Sequence, residues 1–340
     1  MLRKTGILLI NLGTPDRPTK KGVRKYLTQF LTDGRVIDYP WLSRQLLVRG
    51  VIIPRRNANS TSLYQQLWTS EGSPLKIYGE AVASAIKQRH PEISVALGMR
   101  YQHPSISSAI ASLMEAQVTD IVVFPLFPHY ASASTGSSFE EVMRVIKSQQ
   151  VIPSLYFIQD YYDHDAFLDV IEKRSQSFDL AAYDHILFSY HGIPQRQLKK
   201  ADLGNHCLAS EDCCQQQDLS NRHCYSAQSY ATTFALAKKL NLAPDRYTTC
   251  FQSRLGRDPW TQPYTSAIIQ RRAEMGDKRL LVFSPAFVAD CLETTIEVGV
   301  EYQEEFTSLG GDKIDLVPSL NDDPAWIEAI MTIISERINL

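Results

Sequence analysis

Three groups of residues in this 340-residue chain have the types and spacing to do chemistry. His191 follows the apolar run Ile186-Leu187-Phe188-Ser189-Tyr190 and precedes Gly192. That order puts an imidazole at the carboxyl end of a strand, where it can bind a metal or take up a proton at neutral pH. Taken alone, a histidine at such a position is more often a hydrogen-bonded structural residue. The second group is a row of carboxylates, Asp290, Glu293, Glu297, Glu301 and Glu305, spaced by three and then by four. A helix gathers such positions on one face, although like charges there repel. The row reads either as a solvated face, which suits Glu301 and Glu305, or as a path that guides a divalent cation or carries protons away. His191 and Glu293 together offer one nitrogen and one oxygen ligand. This mixed and incomplete set suits a transient site for Fe2+ better than a closed structural site.

The third group is C-x5-C-C-x9-C, formed by Cys207, Cys213, Cys214 and Cys224 within eighteen residues. Four thiols this close in a reducing compartment point to a metal or a cluster rather than to disulfides. The spacing is not that of two C-x2-C zinc knuckles. Adjacent Cys213 and Cys214 suit a two-iron cluster, whose ligands divide between two irons. Zinc with His206 or His223 as substitute ligands, and free thiols, stay open at this point. Cys250 lies within an apolar run and is expected in the core.

The elements that must position these groups are strands alternating with helices. Apolar runs are read at 6–12, 94–100, 120–127 and 152–158, with helices at 20–31, 105–116, 137–148 and 165–177. A second set has runs at 185–189, 247–252, 279–284 and 313–317, with helices at 226–240, 264–275, 291–309 and 324–338. This order predicts an α/β protein of two lobes, each with a four-stranded parallel sheet wound by right-handed crossovers. The expected division is 1–180, 181–322 and a C-terminal helix over 323–340. In such sheets ligands sit beyond the carboxyl ends of the strands.

Two segments break the alternation. Residues 38–71 mix Trp41, Leu42, Leu46, Leu47, Val51, Ile52 and Ile53 with Arg44, Arg49, Arg55 and Arg56. The stretch reads either as an amphipathic lip over a pocket or membrane surface, or as a helix packed on the first lobe. Residues 195–224 are polar, cysteine-rich and without a clear period, and read as an inserted loop.

Composition sets the outer limits. Hydrophobic residues make up 44% and charged residues 21%, and the formal net charge is -2. That balance is globular and gives no bulk attraction to nucleic acid. No run of about 18 apolar residues is present to span a membrane. The apolar stretch at 7–10 is too short for a signal-peptide core, and Asn11 and Asp16 follow it, so a cytoplasmic protein is expected.

Six strings then make the pattern specific. Gly6-Ile-Leu-Leu-Ile-Asn-Leu-Gly-Thr-Pro15, Gly98-Met-Arg-Tyr101, Pro125-Leu-Phe-Pro128 with Ser134-Thr-Gly-Ser-Ser138, Ser189-Tyr-His-Gly-Ile-Pro194, Phe251-Gln-Ser-Arg-Leu-Gly256 and Asp290-Cys-Leu-Glu-Thr294 stand in the order found in ferrochelatases. The chain resembles that family over nearly its whole length. The resemblance implies two Rossmann-like lobes with an active-site cleft between them, and insertion of Fe2+ into protoporphyrin IX as the last step of haem synthesis. It implies that His191 is proton acceptor or iron ligand, that Glu293 is its partner, and that Asp290, Glu297 and Glu301 form an acidic path. Arg56 and Ser73 match propionate-holding positions, and Tyr64 and Trp260 match pocket walls. Leu12 stands where some members carry methionine near the ring centre, and Cys291 where some carry histidine.

No cysteine-bearing C-terminal extension like that of animal members is expected. The chain's internal cysteines resemble those of a microbial subset, which implies a [2Fe–2S] cluster on Cys207, Cys213, Cys214 and Cys224. The protein is expected as a monomer or homodimer, with a peripheral membrane contact through 38–56. Competing readings are a chelatase for coproporphyrin III or another metal, a non-catalytic tetrapyrrole-binding protein, and a cluster-bearing redox sensor.

Overall fold

The computed structural model describes residues 3–210, 212–256 and 258–338. The first two and last two residues of the expected lobes, Glu211 in the cysteine segment and Arg257 lie outside them. The chain forms two compact units. The first comprises 1–127, 131–160 and 321–340, and the second 128–130 and 161–320.

The first unit is built on β1 (Thr5–Gly13), β2 (Ser94–Tyr101), β3 (Asp120–Pro125) and β4 (Ser154–Phe157), all parallel in the order β2-β1-β3-β4. Ile7, Leu8, Leu9 and Ile10 of β1 are completely buried. A parallel strand covered on both faces reads as a continuous apolar run, which is why the sequence shows no alternation here. β1 ends on Gly13 at φ +110°, where a Cβ would lie 2.0 Å from the Tyr101 carbonyl oxygen, so no other residue fits there.

The helices of this unit are α1 (Lys20–Leu31), α2 (Trp41–Leu47), α3 (Ile53–Leu67), α4 (Pro74–Arg89), α5 (Ile106–Glu115) and α6 (Ser137–Ile146). α1 starts where the Thr19 side chain accepts from the Gly22 N–H, and α5 where Ser105 accepts from Ser108, the usual way to satisfy orphan donors at a helix start. Ile106, Ile110 and Leu113 of α5 pack with Val142 and Val145 of α6 on Leu8, Ile10, Ile121 and Val123.

A π-helical turn, Val48–Ile52, joins α2 to α3, so residues 41–67 run as one long helical stretch. The stretch packs on the first unit along one face and leaves another face exposed. Val48 and Ile53 pack on Leu31, whereas Trp41, Leu42 and Leu46 are 67%, 61% and 66% exposed.

The second unit carries β5 (His185–His191), β6 (Tyr247–Gln252), β7 (Arg279–Phe283) and β8 (Lys313–Leu316), parallel in the order β6-β5-β7-β8. Its helices are α7 (Asp165–Ser175), α8 (Gln195–Ala201), α9 (Tyr225–Lys239), α10 (Thr265–Glu274) and α11 (Gln303–Ser308). Leu187, Leu280 and Val282 share a core with Cys250, Ile269, Val298 and Phe306, and Cys250 is fully buried as its apolar neighbours in sequence imply. The two four-stranded parallel sheets with flanking helices are the architecture the alternation predicts.

Three features differ from the sequence reading. The division falls after Asp160 instead of near 180, because α7 packs on α9 and Lys239 pairs with Asp165 and Asp169. The C-terminal helix α12 (Pro324–Ile338) belongs to the first unit, where Trp326 is wholly buried against Phe124 and Arg89 pairs with Glu328. The segment 195–224 is not all loop, since it opens with α8.

Candidate active site

β5 ends at His191 because the next residue permits a close approach. A Cβ on Gly192 would meet the Gln252 carbonyl oxygen at 2.8 Å, the same oxygen that accepts from the Gly192 N–H. His191 Nδ1 lies 2.6 Å from the Gly192 carbonyl oxygen. A carbonyl only accepts, so Nδ1 carries the proton and the free lone pair is on Nε2. The half-buried ring lies between Trp260 and Phe287, each with its centroid 6.3 Å away. An imidazole fixed at one nitrogen and basic at the other, among aromatic walls, is equipped to accept a proton or to ligate a metal.

The acidic row is not one face of an α-helix. Asp290 precedes the helix, Cys291 caps it, and residues Leu292–Tyr302 are π-helical before α11 begins. Bonding from i to i+5 widens the turn, so the spacing of three that aligns Asp290 with Glu293 on an α-helix does not apply. Apolar spacing over three turns does not distinguish the two helix types, which is why the sequence reading expected a single α-helix.

Gln252 ties this helix to the histidine strand. It is the register partner of His191. Its amide nitrogen donates to the Glu293 carbonyl at 2.9 Å and to Glu297 Oε2 at 3.0 Å, while its oxygen accepts from Ser189. Glu297 accepts further bonds from the Ser253 N–H at 2.8 Å, the Ser253 hydroxyl at 2.5 Å and the Tyr302 hydroxyl at 3.0 Å. Ser253 holds φ +66°, a strained value for a non-glycine residue that lets it present both donors. Glu297 is thus an anchor saturated by four donors.

Glu293 is half-buried and Glu301 exposed. Desolvation, then the charges of Glu297 and Glu304, raise the Glu301 carboxyl, and burial raises Glu305. Burial, followed by the nearby Glu293 charge, pushes the Cys291 thiol well up. The roles of Gln252, Ser253 and Phe287 are not visible in the sequence. Gln252 and Ser253 lie in one of the six strings, but their partners are some forty residues away.

Leu12, Arg56, Tyr64 and Ser73 belong to the first unit. Leu12 is near the end of β1. Two residues later the Thr14 hydroxyl donates to Ser73 Oγ at 2.9 Å, both side chains being buried, which brings the end of β1 to the start of α4. Tyr64 is buried edge-on to Tyr26 at 6.0 Å. Arg56 is exposed on α3.

The four cysteines of 207–224 line one cavity of about 280 Å3, together with His206, His223, Asp202, Asn221 and Leu198. The Cys213 and Cys214 sulfurs are 3.6 Å apart. A hydrogen bond between Cys214 and Cys224 raises the first and lowers the second. Burial and the neighbouring sulfurs push the Cys207 thiol up to about 11. Asn221 shapes the loop by donating to the Cys213 and Gln216 carbonyls, and Asp202 by accepting from the Cys207 and Gly204 N–H groups. Among the described residues no group of three or more His, Cys, Asp or Glu side chains is set in an arrangement that holds a metal ion.

Comparison with known proteins gives these sites a context. A family model described as ferrochelatase matches residues 4–338. The ferrochelatase of Legionella pneumophila strain Corby is 42% identical over 336 residues, covering 98% of this chain and 100% of its own. That of Coxiella burnetii strain Dugway is 40% identical, covering 99% and 95%. Among solved structures, SirB from Bacillus subtilis with Fe3+ matches over 99% of this chain and 96% of its own, at TM-score 0.57 and 10% identity. The sirohydrochlorin chelatase SirB from Bacillus subtilis subspecies spizizenii with cobalt matches over the same shares, at TM-score 0.54 and 12% identity. At these identities the two structures speak for a chelatase-like fold alone.

Proposed function

The chain belongs to the ferrochelatase family, and we propose that it inserts Fe2+ into protoporphyrin IX to give protohaem, with His191 as the proton acceptor. The observation that carries the assignment is the His191 geometry: Nδ1 is committed to the Gly192 carbonyl and Nε2 is left basic between Trp260 and Phe287. The reaction exchanges two pyrrole N–H protons for one Fe2+, so charge balances when both protons leave to bases. His191 Nε2 takes a proton from the ring. Glu293 on the π-helix serves as its carboxylate partner and takes the second proton, Asp290 and Glu301 extend the acidic path by which cations arrive and protons depart, and Glu297 holds the helix to β6. Fe2+ is the substrate here, and weak hard ligands suit its stepwise loss of water. Trp260, with Phe287, supplies apolar wall beside His191. Within the first unit, Arg56 and Ser73 suit carboxylate groups by charge and hydroxyl hydrogen bonding, and Tyr64 and Leu12 offer apolar surface.

A [2Fe–2S] cluster is supported by the donor types alone, since the side chains as they stand form no metal-holding group among the described residues. Four sulfurs line one space, none of the described side chains lining it is a lysine or arginine, and adjacent Cys213 and Cys214 can serve separate irons. Cys207, Cys213, Cys214 and Cys224 would hold it, and it would supply a redox-active, visibly coloured centre. The exposed face of Trp41, Leu42 and Leu46, beside exposed Arg49, Arg55 and Arg56, suits a peripheral contact with an anionic membrane surface. Among the described residues no helix is long and apolar enough to cross one. We take the compartment to be the cytoplasm, where thiols stay reduced.

The test is anaerobic insertion of Fe2+ into protoporphyrin IX followed by absorbance, with coproporphyrin III in parallel. Rapid protohaem formation is expected. Faster turnover of coproporphyrin III would reassign the substrate, and no turnover of either by folded protein would overturn the reading.

A further inference from the structure

The thiol cavity is not an isolated appendage of the second unit. Its first wall is α8, whose Leu198 and Ala201, with the following Asp202, line the cavity. Asp202 accepts from the Cys207 N–H at 2.6 Å and from Gly204 at 2.9 Å, so the position of Cys207 is tied to the last turn of α8. The first turn of the same helix grips the segment that carries Trp260. The Gln195 N–H donates to the Pro259 carbonyl at 2.9 Å, and the Gln195 side-chain amide to the Trp260 carbonyl at 3.2 Å. Arg196 forms an ion pair with Asp258. Pro194 and Trp260 make an isolated antiparallel bridge, and Ile193 and Thr261 exchange bonds in both directions. Trp260 in turn flanks the His191 ring.

Seven residues of helix therefore join a four-sulfur cavity at one end to the aromatic wall of the candidate active site at the other. A short helix transmits a displacement of one end to the other, because its backbone bonds do not stretch independently. The clamp acts on the backbone of Trp260 and on Asp258 beside it, and His191 Nδ1 is held separately by its own neighbour's carbonyl. Coupling of this kind moves a binding wall and leaves the base in place.

We propose that Gln195 and Arg196 are positioning residues that couple the state of the four-thiol loop to Trp260, and so to porphyrin affinity. The inference rests on the ferrochelatase reading. It is tested by a double-mutant cycle on the dissociation constant for protoporphyrin IX, read from quenching of the protein's intrinsic fluorescence without any turnover. The corners are the unaltered full-length protein, Gln195→Ala with Arg196→Ala, Cys207→Ser, and all three substitutions together. Each single perturbation is expected to weaken porphyrin binding about five-fold, equivalent to loss of about 1 kcal/mol, and the combined protein to bind no more weakly than the Gln195→Ala/Arg196→Ala protein. Arg196→Lys, which keeps the charge opposite Asp258, is expected to restore most of the affinity and serves also if the double alanine protein does not fold. Independent effects that multiply to about 25-fold, or a Cys207→Ser protein with unchanged affinity, would overturn the coupling while leaving the functional reading intact. Failure of the unaltered protein to bind protoporphyrin would overturn both.

Discussion

Acid should unfold this protein partly through a single buried imidazole, His129. The residue is 2% exposed in the second unit, with Tyr162, Tyr190 and Tyr225 around its ring. Thr232 donates its hydroxyl hydrogen to the Tyr162 carbonyl at 2.7 Å, so its oxygen accepts from His129 Nε2 at 2.9 Å. Nε2 is thus protonated and Nδ1 is bare, buried and without a hydrogen-bond partner. Charging the ring would bury a cation with one unpaired N–H, and burial lowers its pKa from 6.5 to about 3. The folded value lies below the unfolded one, so the unfolded chain binds more protons and stability falls as pH falls from 6.5 toward 3. Each unit costs about 1.4 kcal/mol, which makes about 2.7 kcal/mol at pH 4.5 from this residue alone. His185, lowered to about 4 by burial and then by Arg272 and Arg246, acts in the same direction. Urea titrations at pH 7 and pH 4.5 measure the effect. His129→Gln, which keeps a donor for Thr232 and cannot charge, should lose about 2–3 kcal/mol less between the two pH values than the unaltered protein. Equal losses in the two proteins would refute the assignment of His129 as a neutral buried base.

Further outcomes are expected at the two sites. His191→Ala should lower the insertion rate by about 100-fold or more while protoporphyrin still quenches the protein's fluorescence; near-normal turnover would remove its role as base. Cys214→Ser should abolish visible charge-transfer absorption of the anaerobically purified protein, and an unchanged spectrum would exclude Cys214 as a ligand. Glu297→Ala strands the donors on Gln252, Ser253 and Tyr302, and should cost about 1–3 kcal/mol in urea unfolding. Glu301→Ala at an exposed position should stay within about 0.5 kcal/mol, so equal costs at the two positions would contradict the anchoring role of Glu297. In the first core Ile110→Ala should cost about 2–5 kcal/mol, read in the same titration.

The amino-acid sequence by itself determined the alternation of strands and helices. Runs such as Ile7-Leu8-Leu9-Ile10 are apolar at every position because helices cover both faces of a parallel sheet. It also determined that His191 stands at a strand end, since the apolar run stops there and Gly192 follows. The closeness in sequence of four thiols was equally legible, although it is the fold that gathers them around one cavity. These are local facts, set by side chains acting on their own neighbourhood.

What only the tertiary structure decided is non-local. Glu293 and Glu297 lie on a π-helix, whose wider turn has the same short-range apolar pattern as an α-helix. Glu297 accepts from Gln252 and Ser253, forty-five and forty-four residues earlier in the chain, because the end of β6 meets that helix. Trp326 lodges the last helix against Phe124 in the first unit, although it follows the second in sequence. Sheet register and helix docking choose such partners, and both are set by the packing of the whole unit, which no short window of sequence contains.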